Sequence, residues 1–312
     1  MNRGPESPSL LKISVRRPNG LRMENFENRR INWDSFEDWV RKTHHKGSES
    51  VSGTVRYAKR YSFILFNPSE ASILQTFTRD KRRLVMASLA NLSEYLGIYD
   101  WWKYIVEKAD LKYEKRTSLE VVTDILNSHI KGTKQWLLKA VKTLPKPHST
   151  VLVFNALTGL RPTEGCLSCK LITELSSKRE LNKYLDKELM MLQHFKFKDL
   201  FLRKSKNCYI SFISKDLLNL VLENEPKIMS ARTIAKALRK RGYRNPLNDL
   251  RKLYATTLKE HLPTELIDLL QGRVSQSIFL RYYYKPTLTQ IKEKTLKAIE
   301  PLQKELLAIM KG

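Results

Sequence analysis

Three consecutive tyrosines, Tyr282, Tyr283 and Tyr284, lie downstream of two arginines that each sit just past a glycine, Arg161 after Gly159-Leu160 and Arg273 after Gly272. Arg251 falls between them, and Lys204 and Lys206 lie in a polar stretch. These residue types suit metal-free attack on a phosphodiester, which needs cations around the nonbridging oxygens, a nucleophile and a proton donor for the leaving hydroxyl. The arginine fork binds phosphate oxygens in pairs and stays charged, whereas lysine can give up a proton and so act as an acid. A phenol with an unperturbed pKa of about 10 is a poor nucleophile, but neighbouring guanidinium groups stabilise its phenolate. Each residue also has an ordinary use: an arginine after a glycine cap can hold carbonyls, and clustered tyrosines can fill a core.

The charge balance selects the class of partner. The 312 residues carry 57 Lys and Arg against 32 Asp and Glu, a formal net charge of +25, which calls for a polyanion. No apolar run approaches the roughly 20 residues of a membrane span, so nucleic acid is the expected partner and a membrane is not. Residues 1–22 mix Pro, Gly, Ser and Arg, unlike a secretory signal, and read as a flexible basic arm of a cytosolic protein. Cys166, Cys169 and Cys208 have no framework spacing. The Cys166-x-x-Cys169 pair lacks a second pair for zinc, so it reads as two reduced packing residues on a helix.

The elements that must position the reactive residues are mostly helical. Asp34 is the expected cap of a first helix bearing Phe36, Trp39 and Val40 on one face, broken at Gly47-Ser48-Glu49-Ser50. Helical spacing continues through Val55, Tyr57 and Tyr61, through Val85, Leu89, Leu92 and Leu96 up to Gly97, and through Trp101, Trp102, Tyr104 and Ile105. Lys112 to Arg116 reads as solvated. Thr117-Ser118-Leu119-Glu120 has capping-box spacing, and the domain boundary is placed there. The run Val151 to Leu157 is apolar and ends at Gly159, a helix C-terminal glycine, and Pro162 opens the next helix, so Arg161 sits in the turn. Alternation through Phe195, Phe197 and Leu202, then Tyr209, Ile210 and Phe212, predicts two strands around a turn at Ser205-Lys206-Asn207. From Ser230 onward the pattern is helical, punctuated by Pro246, Pro263, Gly272 and Pro286. The fold class expected is mainly α with a small β-hairpin or sheet (α+β): the arm, an all-helical domain over residues 23–116 and a second domain over residues 117–312. The run Lys236, Arg239, Lys240, Arg241 and Arg244 is either an exposed helix face or a phosphate-contacting surface. Ile291, Leu296, Ile299, Leu302, Leu306 and Ile309 form an apolar stripe on a last helix, roughly Leu288 to Met310.

Thr158-Gly159-Leu160-Arg161-Pro162-Thr163-Glu164 resembles the first arginine box of the tyrosine recombinases, and Asn248-Asp249-Leu250-Arg251-Lys252-Leu253-Tyr254-Ala255-Thr256 resembles the second. Leu269-Leu270-Gln271-Gly272-Arg273 resembles the family's Leu-Gly-His segment, and Arg281-Tyr282-Tyr283-Tyr284 falls where its nucleophile belongs. Order and spacing match together from about Thr117 to Lys311; the N-terminal helices match only as a domain type. The Gln-Gly-Arg form is similar to integrases of archaeal fuselloviruses and related archaeal plasmids. Asn248 stands where the family usually has His or Lys, and Arg273 where it has His or Trp.

The resemblance implies that Arg161, Asn248, Arg251 and Arg273 surround the scissile phosphate. The spacing of that subgroup, ten residues beyond Arg273, gives Tyr283 as nucleophile. Tyr282 and Tyr284 stay open as alternatives, with Ile278 in register with Tyr282 favouring a packing role for the latter. Lys206 aligns with the family's hairpin lysine as general acid, and Lys204 competes. The implied function is a site-specific DNA recombinase, or integrase, that cuts and rejoins duplex DNA at attachment sites through a 3′-phosphotyrosyl intermediate and a Holliday junction, integrating or excising a viral or plasmid element. The resemblance also implies a monomer when free, a homotetramer on DNA, and no metal or organic cofactor. The last helix then either packs on its own domain or docks on a neighbouring protomer. The rival readings are a noncatalytic DNA-binding protein on the same scaffold and a type IB topoisomerase-like enzyme.

Overall fold

Apolar residues at helical spacing dominate the chain, and the computed structural model is accordingly mainly helical, with one small three-stranded antiparallel sheet. It describes residues 31–44, 48–113, 117–126, 130–202, 207–226, 230–273 and 286–311. The arm 1–22, Lys204, Lys206, Ile278, Arg281 and Tyr282, Tyr283 and Tyr284 lie outside the described residues. The chain divides into two compact units, Met1–Ile125 and Leu126–Gly312.

The first unit contains α1 (Trp33–His44), α2 (Ser48–Tyr61), α3 (Phe63–Phe66), a 3-10 segment Pro68–Thr76, α4 (Arg79–Tyr95), α5 (Tyr99–Lys108) and α6 (Ser118–Leu126). Its core is built from the predicted stripes, with Phe36, Val40, Val55, Val85, Leu89, Leu92, Trp102 and Ile105 all buried. The first helix is capped by Asn32 rather than Asp34: Asn32 Oδ1 accepts from the Ser35 N–H at 3.0 Å, and Asp34 sits in the first turn, where its charge suits the helix dipole. The capping box before α6 is present, with Thr117 N–H donating to Glu120 Oε2 at 2.9 Å and Glu120 N–H to Thr117 Oγ1 at 3.1 Å. The division between units nevertheless falls at the end of α6, one helix later than the expected boundary. Arg79 at the start of α4 forms an ion pair with Glu120 at 2.6 Å, which ties α6 to the first unit.

The second unit is organised around α8 (Lys146–Thr158), in which every residue from Ser149 to Thr158 is buried. A helix covered on all sides must be the centre of a core. Around it pack α7 (Ile130–Thr143), α9 (Pro162–Ser177), α11 (Lys215–Asn224), α13 (Asp249–Leu258) and α15 (Leu288–Lys311). Two further helices, α12 (Ala231–Lys240) and α14 (Thr264–Leu270), flank α13 in sequence, and α12 starts at Ser230, whose Oγ accepts from the Thr233 N–H. The apolar stripe of α15 is taken up by this core: Ile291, Ile299, Leu302 and Leu306 are buried, and Leu296 and Ile309 pack against the same cluster. The stripe is therefore occupied within its own unit.

The sheet departs from the expected hairpin. Its strands are β1 (Leu185–Asp186), β2 (Met191–Gln193) and β3 (Ile210–Phe212), in that spatial order, with Leu192 opposite Ser211. The predicted strand over Phe195 to Leu202 is instead a 3-10 turn, His194–Lys196, followed by the short helix α10 (Lys198–Phe201). The true strand β2 is buried at all three positions, so it shows no alternation to read. The apparent alternation at Phe195 and Phe197 belongs to a helical turn whose Phe197 and Phe201 rings pack against Tyr184. Among the described residues no helix is long and apolar enough to cross a membrane.

Candidate functional site

The helix-to-helix turn at Gly159 begins the site. Gly159 adopts φ +64°, and a Cβ there would lie 2.1 Å from the Tyr254 ring, so only glycine lets α8 end against α13. Two residues on, Arg161 is the N-cap of α9 and Pro162 opens the helix. Glu164, fully buried one turn into α9, takes hold of Arg161 twice. Its Oε2 accepts from the Arg161 main-chain N–H at 3.0 Å and its Oε1 pairs with Arg161 Nη1 at 2.8 Å. Arg161 Nη1 also donates to the Asn207 carbonyl at 3.1 Å.

Arg251 comes from the first turn of α13 and is buried, 9% exposed. Its Nη1 donates to the Gly159 carbonyl at 2.9 Å and its Nη2 to the Gln271 carbonyl, while Gln271 Nε2 donates back to the Arg251 carbonyl at 2.9 Å. Burial is the main cause that lowers the Arg251 pKa from the usual arginine value to about 10, with Arg161 and Arg273 adding repulsion and Glu164 opposing it. It still carries its charge at neutral pH. Arg273 follows α14 through Gly272, which adopts φ +69°. A Cβ on Gly272 would come within 1.7 Å of the Asn207 carbonyl oxygen. Arg273 is exposed and pairs loosely with Asp268 at 3.3 Å.

These segments wall a cavity of about 1060 Å³. Among the described residues its lining carries six cationic side chains, Arg161, Arg239, Arg244, Arg251, Lys252 and Arg273, together with Asn248, Tyr243 and Asn245, and no Asp or Glu. Among the described residues no group of three or more His, Cys, Asp or Glu comes together to hold a metal ion. A concave site with excess positive charge and no acid in its wall is matched to an anion with several oxygens.

The predicted residues are thus partly assembled. Arg161, Asn248, Arg251 and Arg273 meet at one cavity although they are spread along the chain, and Arg239 and Arg244 of the basic run join them. Lys236 and Lys240 are exposed but do not line it. Arg241 is turned to another use, its Nε donating to the Thr143 carbonyl at 2.8 Å to close the end of α7, and its Nη1 to Ala237. Lys206 and Tyr283, with their alternatives, lie outside the described residues. Cys166, Cys169 and Cys208 are buried free thiols, and burial raises the pKa of each, that of Cys166 to about 12.

In the sequence Gln271 is legible only as part of the Gln-Gly-Arg segment, with no role of its own, and the Asn207 carbonyl is not legible at all. Nothing could have flagged the second, since any residue supplies a carbonyl. Gln271 carried a faint signal, an amide directly after Leu269 and Leu270. Searched against known families and curated proteins, the chain matches no family model and no curated sequence.

Proposed function

We propose that this protein is an enzyme of phosphodiester strand transfer, and within that class a tyrosine recombinase acting on duplex DNA. The observation that supports the reading is the cavity: three arginines from distant segments converge on it, two of them held by fixed partners, and among the described residues no acid lines it. The motif resemblance contributes the remaining groups, Tyr283 as nucleophile and Lys206 as acid.

In this reading the Tyr283 phenolic oxygen, losing its proton, attacks the scissile phosphorus. The new oxygen–phosphorus bond forms as the bond to the 5′ oxygen breaks, and the Lys206 ammonium gives that oxygen a proton. Arg161, Arg251 and Arg273 stabilise the charge that builds on the nonbridging oxygens. Asn248 can donate a hydrogen bond there but cannot transfer a proton. A 5′-hydroxyl from a second strand then displaces the tyrosine, so the broken linkage is restored without an external energy source. Four protomers on two attachment sites, passing through a Holliday junction, complete integration or excision. Exposed cations of the α12 region, including Arg239 and Arg244, hold neighbouring phosphates without reading base sequence.

The test is a nicked suicide DNA substrate that traps the covalent intermediate. A denaturing gel should show the adduct, peptide mapping should place it on Tyr283, and Tyr283→Phe should abolish it while leaving DNA binding. Binding with no adduct in the unaltered protein points instead to a noncatalytic DNA-binding protein. Adducts without joining of paired sites point to a topoisomerase-like enzyme.

A further inference from the structure

Gln271 is 3% exposed and caps the C-terminal end of α14. It is bonded to Arg251 in both directions: its carbonyl accepts from the guanidinium Nη2, and its side-chain Nε2 donates to the Arg251 main-chain carbonyl at 2.9 Å. The guanidinium plane is fixed by two carbonyls, those of Gly159 and Gln271. Of the two, the Gln271 carbonyl belongs to a residue whose own side chain is anchored to α13, the helix that carries Arg251. The next residue, Gly272, lies against the Asn207 carbonyl so closely that no Cβ fits, and that carbonyl accepts from Arg161 Nη1. A shift at position 271 therefore reaches both the buried Arg251 and the half-buried Arg161. A guanidinium on a long side chain can keep its charge and lose its orientation, and it is orientation that makes a preorganised donor effective.

We infer that Gln271 is a positioning residue, which holds the Arg251 guanidinium in the orientation that the anion in the cavity requires. The inference rests on reading the cavity as a phosphate site. It does not require that the phosphate be cleaved.

Gln271→Leu keeps the carbonyl and the approximate size and deletes the amide donor. In the full chain with 15N-labelled arginine, Arg251 should show separate, slowly rotating Nη signals, assigned by their loss in Arg251→Lys. In Gln271→Leu those signals should collapse toward an average, and affinity for inorganic pyrophosphate should fall about tenfold, the scale of one lost buried hydrogen bond. Gln271→Met, close in size and without the N–H donor, serves the same purpose if Gln271→Leu does not fold. Leu306→Ala, which opens a cavity in the core on α15, is the control for general loosening. Unchanged Arg251 signals in the Gln271 variants overturn the inference, as does an equal loss of pyrophosphate affinity in Leu306→Ala. Collapsed signals and weakened pyrophosphate binding, in a protein whose unaltered form makes no DNA adduct, uphold the inference and remove the recombinase reading alone.

Discussion

Two polar clusters lie inside the second unit, and they are built on opposite principles. The first is neutral and closed: Ser168 and Tyr184 share a hydrogen bond of 2.9 Å, Tyr184 and His194 Nδ1 one of 2.6 Å, and His194 Nε2 and Ser211 one of 2.9 Å. All four side chains are buried. A neutral imidazole has one N–H, so His194 donates one of its two bonds and accepts the other. The second cluster is charged and left over: Arg161, Arg251 and Arg273 face one buried carboxylate, Glu164, and the marginal Asp268. A closed neutral network needs no outside partner and ties the sheet to α9. A cluster with surplus charge beside a cavity leaves room for an anion from outside. Buried polarity by itself therefore does not mark a site; the unbalanced remainder does.

The sharpest way to break this comparison is Arg251→Ala. A preorganised donor to a transition state is worth about 2.7 to 4 kcal/mol, so DNA cleavage in single turnover should fall by roughly 100- to 1,000-fold while DNA affinity changes little. Equal losses in both would reduce Arg251 to an ordinary phosphate contact.

Next in size is a stability effect at Arg161. Arg161→Ala leaves the Glu164 carboxylate buried without its guanidinium partner, which should cost about 3 kcal/mol in urea denaturation. Adding Glu164→Gln should recover much of that stability but none of the cleavage. Recovery of both would mean that Arg161 serves only to neutralise Glu164.

The closed cluster should answer to pH rather than to DNA. Burial lowers the His194 pKa to about 3, so the folded chain keeps this imidazole neutral while the unfolded chain binds a proton below its ordinary value of about 6.5. The unfolded state thus holds more protons across that window, and stability is lost as pH falls from about 6.5 toward 3. His194→Gln should flatten this part of the stability profile, measured by denaturant titration at a series of pH values. An unchanged profile would show that other groups set the acid limit.

The smallest effect belongs to the exposed cations. Among the described residues the Arg239 and Arg244 side chains have no ion-pair or hydrogen-bond partner, unlike the held arginines beside them. Replacing either with Ala should reduce the salt dependence of DNA binding by about one unit of log–log slope and leave the saturated cleavage rate intact. A fall in that rate would move them into the held group.

Local signals in the sequence determined much of this molecule. Helix periodicity set the stripes of α2, α4, α5 and α15; Gly159 and Pro162 set the turn that carries Arg161; Thr117 and Glu120 announced the start of α6. The charge surplus and the order of the arginine boxes were legible for the same reason, since each depends on residue type and spacing alone. Tertiary structure decided what depends on neighbours far along the chain. Strand β2 is hidden because burial on both faces removes alternation, and α6 falls with the first unit, to which the Arg79–Glu120 pair also joins it. The meeting of Arg161, Arg251 and Arg273 was implied only by resemblance, and their orientation not at all. For Arg161 and Arg251 that orientation comes from the carbonyls of Gly159, Asn207 and Gln271, and a backbone carbonyl has no letter in the sequence; only the folded chain brings it within hydrogen-bond reach of a guanidinium.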